Sequence, residues 1–113
     1  MTYANLATDS AYFNQTLLDC VEDGVTAILG QQVLDALFVR LRTYQGLTRN
    51  EIPFHLDMFF AALEKTFGPP SGKTIGRFII KLLYARLGLV FDSKSDRVLV
   101  EYVSDARREL GKS

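Results

Sequence analysis

Four glycines divide this chain more firmly than anything else in it. Gly30, Gly46, Gly68 and Gly88 each follow directly on a run in which apolar residues return every three or four positions. That spacing gathers apolar side chains on one face of an α-helix, and a glycine just past the last of them lets the chain leave the helix through positive φ. Segments punctuated in this way bury their apolar faces by packing helix against helix.

The first run, from about Ser10 to Ile28, carries Phe13, Leu17, Val21, Val25 and Ile28 or Leu29, and Gly24 weakens it. The second starts near Gln31 and turns Val33, Leu34, Leu37, Phe38, Leu41 and Tyr44 inward, leaving Arg40 and Arg42 to solvent. Pro53 biases Ile52 toward extended dihedrals, so residues 47–55 read as a short extended linker pinned by Leu47, Ile52 and Phe54. A third helix over 56–67 presents Leu56, Phe59, Phe60, Leu63 and Phe67.

The fourth helix, over 72–87 with Ser71 placed to cap it, bears Ile75, Phe78, Ile79, Leu82, Leu83 and Leu87, and Ile80 and Tyr84 widen that stripe. A helix apolar over more than one face belongs at the centre of a bundle or in a dimer interface. After Gly88 the period shortens. Leu89 to Phe91 and Val98 to Val100 flank the turn-rich residues 92–96, which read as a short β-hairpin or as an irregular loop. A last helix covers 101–110. The expectation is a mainly α bundle of about five helices in one domain, 10–110, behind a flexible segment, 1–9, with the hairpin before the last helix left open. A length of 113 residues suits one such core.

Charge and cysteine content narrow the function classes. Thirteen Lys and Arg balance thirteen Asp and Glu, leaving no net field to hold the chain on a phosphate backbone or an anionic membrane. Cys20 is the only cysteine and His55 the only histidine, so no intramolecular disulfide and no zinc site of the usual Cys/His type is expected. The most apolar stretch, 78–91, is interrupted by Lys81 and Arg86, and the polar first ten residues lack the order of a signal peptide. The chain reads as cytoplasmic, with no membrane partner.

Few residues suggest chemistry. Gly68-Pro-Pro-Ser-Gly-Lys-Thr74 looks like a phosphate-cradling loop, but it has three residues between its glycines where that loop has four. It also follows a helix, and its two prolines lack the N–H donors that such a loop supplies. A helix-to-helix turn accounts for it. His55 has no carboxylate or nucleophile set against it and reads as a surface or capping residue. Cys20 reads as a small core residue, and Asp19, Glu22 and Asp23 as a solvated face. No catalytic residue, metal ligand or cofactor site is expected.

Two surfaces remain. Ile80 and Tyr84 are the candidate contact for homodimerisation. Lys73, Arg77 and Lys81 share a helix face by their four-residue spacing and, with Lys94 and Arg97 of the hairpin, would form a winged-helix-like surface for DNA phosphates. A solvated helix face gives the same pattern.

The order Leu29-Gly30, Tyr44-Gln-Gly46-Leu47, Glu51-Ile52-Pro53, Ala62-Leu63-Glu64, Phe67-Gly68, Leu83-Tyr84 and Leu87-Gly88-Leu89 resembles the small archaeal NitrOD-type output domain. The likeness covers a little over half of the chain and departs from the family pattern at Pro69-Pro70-Ser71-Gly72 and at Gly76. It implies a short helical domain in a signalling-output or protein-binding role and brings no catalytic residue with it. The function expected from the sequence is therefore a non-enzymatic protein-interaction or signalling-output module; the alternative is a small winged-helix-like DNA-binding regulator.

Overall fold

A computed structural model describes residues 2–92 and 98–111, with side chains described for 11–92 and 98–110. Five α-helices and one 3-10 helix make up the described chain: α1 (Thr2–Leu29), α2 (Gln31–Gln45), the 3-10 helix (Arg49–Phe54), α3 (Leu56–Phe67), α4 (Pro69–Leu87) and α5 (Leu99–Gly111). The fold is mainly α, as the periodicity predicts. The helical backbone of α1 extends upstream of Ser10, where the sequence places its start.

The boundaries follow local chemistry. At the end of α2, Gly46 takes the left-handed conformation and donates its N–H to Arg42 O, while the Leu47 N–H reaches Leu41 O at 3.1 Å. These bonds satisfy carbonyls that the helix leaves unpaired, and Leu47 is carried inward. Gly68 alone connects α3 to α4, and Pro69 then occupies the first helical position, where an N–H is not needed. Ser71 therefore lies within α4 and does not cap it.

Residues 49–54 form a 3-10 helix in place of the expected extended linker. The Glu51 carboxylate reaches back to accept the Thr48 N–H at 3.0 Å and the Thr48 hydroxyl at 2.8 Å. Thr48 followed three residues on by Glu51 is the sequence signature of this start. Leu47 and Ile52 are buried as predicted, but Phe54 is exposed. Tyr44 is likewise 71 % exposed, with the Arg40 guanidinium 5.3 Å from its ring centre.

The core is one cluster, and α4 runs through its middle against α3, α1 and α5. This position corrects the dimer-contact reading of Ile80 and Tyr84. Ile80 is 0 % and Tyr84 7 % exposed, because the second apolar face of α4 is covered from within the same chain. Tyr84 donates its hydroxyl to Tyr102 O of α5 at 2.7 Å and meets the rings of Phe91 and Tyr102 edge-on. The Tyr102 hydroxyl in turn donates to Asp92 O at 2.9 Å, so this aromatic group fastens the chain beyond α4 to α5.

Of the hairpin and the irregular loop left open after Gly88, the described residues do not form the hairpin. Leu99 and Val100 lie in the first turn of α5, and residues 89–92 are not strand. Val98 stands immediately before α5, and its N–H donates to the Glu101 carboxylate at 3.0 Å. That start turns Leu99 over α4 and leaves no second strand for a hairpin.

Candidate functional site

Two glycines on α4 determine how closely α3 and the start of α5 approach it. A Cβ at Gly72 would lie 2.5 Å from the Glu64 Cα, so the two backbones touch there. One turn later, a Cβ at Gly76 would fall 2.5 Å from Leu99 Cδ1, because Leu99 lies across that glycine. The sequence presents Gly72 as part of a phosphate-loop look-alike, and its actual role is this close helix packing.

The consequence is a groove of about 530 Å³ between α3, α4 and the start of α5. Phe60, Ala61 and Leu99 supply its apolar surface, and Val98, 63 % exposed, stands at its rim. Asp57 and Glu64 line it from α3, and Lys73 and Arg77 line it from α4. These four charged side chains make no ion pair among the described residues. An apolar cleft with a few placed polar groups is the usual form of a binding site.

Lys73, Arg77 and Lys81 do come together, lining a smaller adjoining cleft of about 250 Å³ with Thr74 and Phe78. The helix spacing predicted that much. Leu99 and Val100, read from the sequence as the second strand of a wing, are helical. Lys94 and Arg97 lie outside the described residues. Asp57, Glu64 and Val98 were not assigned to a site from the sequence. The four-residue spacing of Gly72 and Gly76 was the available signal that α3 and α4 pack closely, but nothing local indicates that α5 begins against them.

The acidic residues of α1 are used structurally. Glu22 accepts two hydrogen bonds from the Arg49 guanidinium, at 2.5 and 3.1 Å, and Asp23 accepts one from Arg86 at 2.7 Å. These pairs tie α1 to the 3-10 helix and to α4, and they hold both arginines further toward the charged form. At the other end, Arg107 of α5 lies 4.3 Å from the Phe13 ring centre and donates to Asn14 Oδ1. Its partial burial lowers its pKa.

Cys20 is buried, and its thiol is pushed up to about 11, by burial above all; the nearby Arg86 acts in the opposite sense. It stays a protonated, unreactive thiol at neutral pH. His55 is exposed between the 3-10 helix and α3, and its backbone N–H donates to Ile52 O at 3.1 Å. Among the described residues no group of three His, Cys, Asp or Glu side chains is arranged to hold a metal ion, and no helix is long and apolar enough to cross a membrane.

Comparison of the chain with protein-family models, curated proteins and solved structures finds no match.

Proposed function

We propose that this chain is a non-enzymatic protein-interaction module, acting as the signalling output that its resemblance to the NitrOD-type domain implies, and that the groove between α3, α4 and α5 holds its partner. The observation that carries this reading is the pairing of an apolar floor with two walls of opposite charge, none of whose four ionic groups is neutralised by a described neighbour. Such charges lose hydration when the groove is covered, so an occupant must answer each of them. The partner that fits is a peptide segment of another protein, with an apolar side chain for the floor, a carboxylate toward Lys73 and Arg77, and a cation toward Asp57 and Glu64.

Photo-crosslinking tests this directly. A photoreactive residue at exposed Ala61, in the groove, is compared in native cells with one at Ala27, an exposed position on α1 outside it. The expected result is an adduct specific to position 61, mapped to a segment with an apolar residue between opposite charges and lost when Lys73→Glu and Arg77→Glu are added. The same adducts at both positions, or adducts indifferent to the charge reversals, would reject the proposal.

A second reading, contact with nucleic-acid phosphates, draws support from the common cleft of Lys73, Arg77 and Lys81. Such binding strengthens at low ionic strength, so a fluorescent duplex at about 50 mM salt is the sensitive probe. No binding there removes this reading.

A further inference from the structure

Leu34, Leu37 and Leu41 turn α2 toward the core, and Val39, 50 % exposed, projects from the opposite side. On one flank of Val39 lie Asp35 and Arg42; on the other lie Ala36 and Thr43. All four are exposed. Each flank has two residues seven positions apart, about 10 Å along the helix, and both pairs are centred within half a residue of Val39.

That arrangement is self-complementary under a two-fold axis. When a second α2 lies antiparallel across the first with the axis beside Val39, Asp35 of each copy faces Arg42 of the other. The same operation sets each Ala36 opposite Thr43, and these small side chains let the helices approach to the usual 8–10 Å. One flank then carries two equivalent ion pairs, the other a close small-residue contact, and the valines meet between them. Among the described residues Asp35 accepts a hydrogen bond only from Gln31 of its own helix, at 3.0 Å, and Arg42 makes no ion pair. Each is available to a charge brought from outside.

We infer that the outer face of α2 is a homodimer contact, an antiparallel α2–α2 pair about a two-fold axis at Val39, closed by reciprocal Asp35–Arg42 ion pairs. An isologous contact of this kind closes after two copies and does not propagate. A single pair of 15-residue helices buries less than the about 1,200–2,000 Å² of a standard stable interface, so the dimer is weak and exchanging. This inference does not depend on the groove, which lies on other helices.

Sedimentation equilibrium of the full chain, run to about 1 mM because weak contacts need high concentration, measures the association. Asp35→Arg and Arg42→Asp each place like charges opposite one another twice, and each is expected to weaken dimerisation at least about tenfold. The double variant exchanges the two charges, restores both cross-helix pairs, and is expected to recover the affinity to within about threefold. All the substituted positions are exposed, and circular dichroism checks that helix content is unchanged. Recovery in the double variant supports the contact. A monomer throughout the concentration range, single reversals without effect, or loss that the double variant fails to recover would each overturn it.

Discussion

Gly72 of α4 rests against the backbone of Glu64 in α3, so close that a Cβ on Gly72 would stand 2.5 Å from the Glu64 Cα and 2.6 Å from its N. Backbone cannot step aside as a side chain can. Gly72→Ala must therefore push the two helices apart, and the expected loss is about 3 kcal/mol despite alanine's better helix propensity. Gly76→Ala provides the contrast. Its Cβ meets the end of the flexible Leu99 side chain, with Phe60 at 3.3 Å, so a rotation of Leu99 combined with the propensity gain leaves stability within about 1 kcal/mol. Urea denaturation of both variants reads the difference. Equal losses at the two glycines would show that helix contact is not what selects Gly72.

Tyr84 offers a test of the corrected role of α4. Its hydroxyl donates to Tyr102 O within the core, so Tyr84→Phe keeps the ring packing and removes one buried hydrogen bond, at an expected cost of about 1–2 kcal/mol. Tyr84→Glu would bury a carboxylate in the same place and is expected to unfold the chain. A Tyr84→Glu protein that stays folded, with wild-type near-ultraviolet circular dichroism, would contradict the burial of Tyr84.

The helices were legible because their ends are marked locally. Gly30, Gly46, Gly68 and Gly88 all adopt positive φ, and the apolar stripes between them form the core. What failed to read from the sequence was tertiary. The extra width of the α4 stripe at Ile80 and Tyr84 is the same whether another copy or the same chain covers it, and only the placement of α4 decides. Val98, Leu99 and Val100 make an apolar run too short to carry a period, so strand and helix start were indistinguishable there. The groove was hidden for a related reason. Asp57 and Glu64 precede Lys73 and Arg77 in the chain on ordinary-looking amphipathic faces, and the approach at Gly72 is what turns those faces toward one cleft.

The Thr48–Glu51 contact predicts a local acid response. Hydrogen bonds from the Thr48 N–H, and then from its hydroxyl, hold the Glu51 carboxyl below its ordinary range. A depressed folded value favours the folded state above the ordinary glutamate pKa, and this contribution is lost as pH falls through the depressed value. In an NMR titration the Glu51 carboxyl should have a lower midpoint than in a Thr48→Gly, Glu51-containing unfolded peptide of the same segment. Thr48→Val, which keeps the backbone donor and removes the hydroxyl, should raise that midpoint part of the way. A Glu51 midpoint unmoved by Thr48→Val would deny the hydroxyl its role.

Cys20 predicts the opposite response, at the alkaline end. Its buried thiol ionises at about 11, against 9.0 for an unperturbed one. Between those values the unfolded chain has released the proton and the folded chain still holds it. The unfolded state therefore binds fewer protons, and stability falls as pH rises through this window; below 9.0 the contribution is present in full. The loss attributable to Cys20 is of the order of 2 kcal/mol. Tyrosines and lysines also titrate in this range, so the informative quantity is the difference between wild type and Cys20→Ala, followed by urea denaturation from pH 8 to pH 11. That difference should shift steadily toward the variant as pH rises, because alanine has no proton to lose. A constant difference across the range would mean that the Cys20 thiol ionises no later in the folded chain than in the unfolded one, and that burial does not hold its proton.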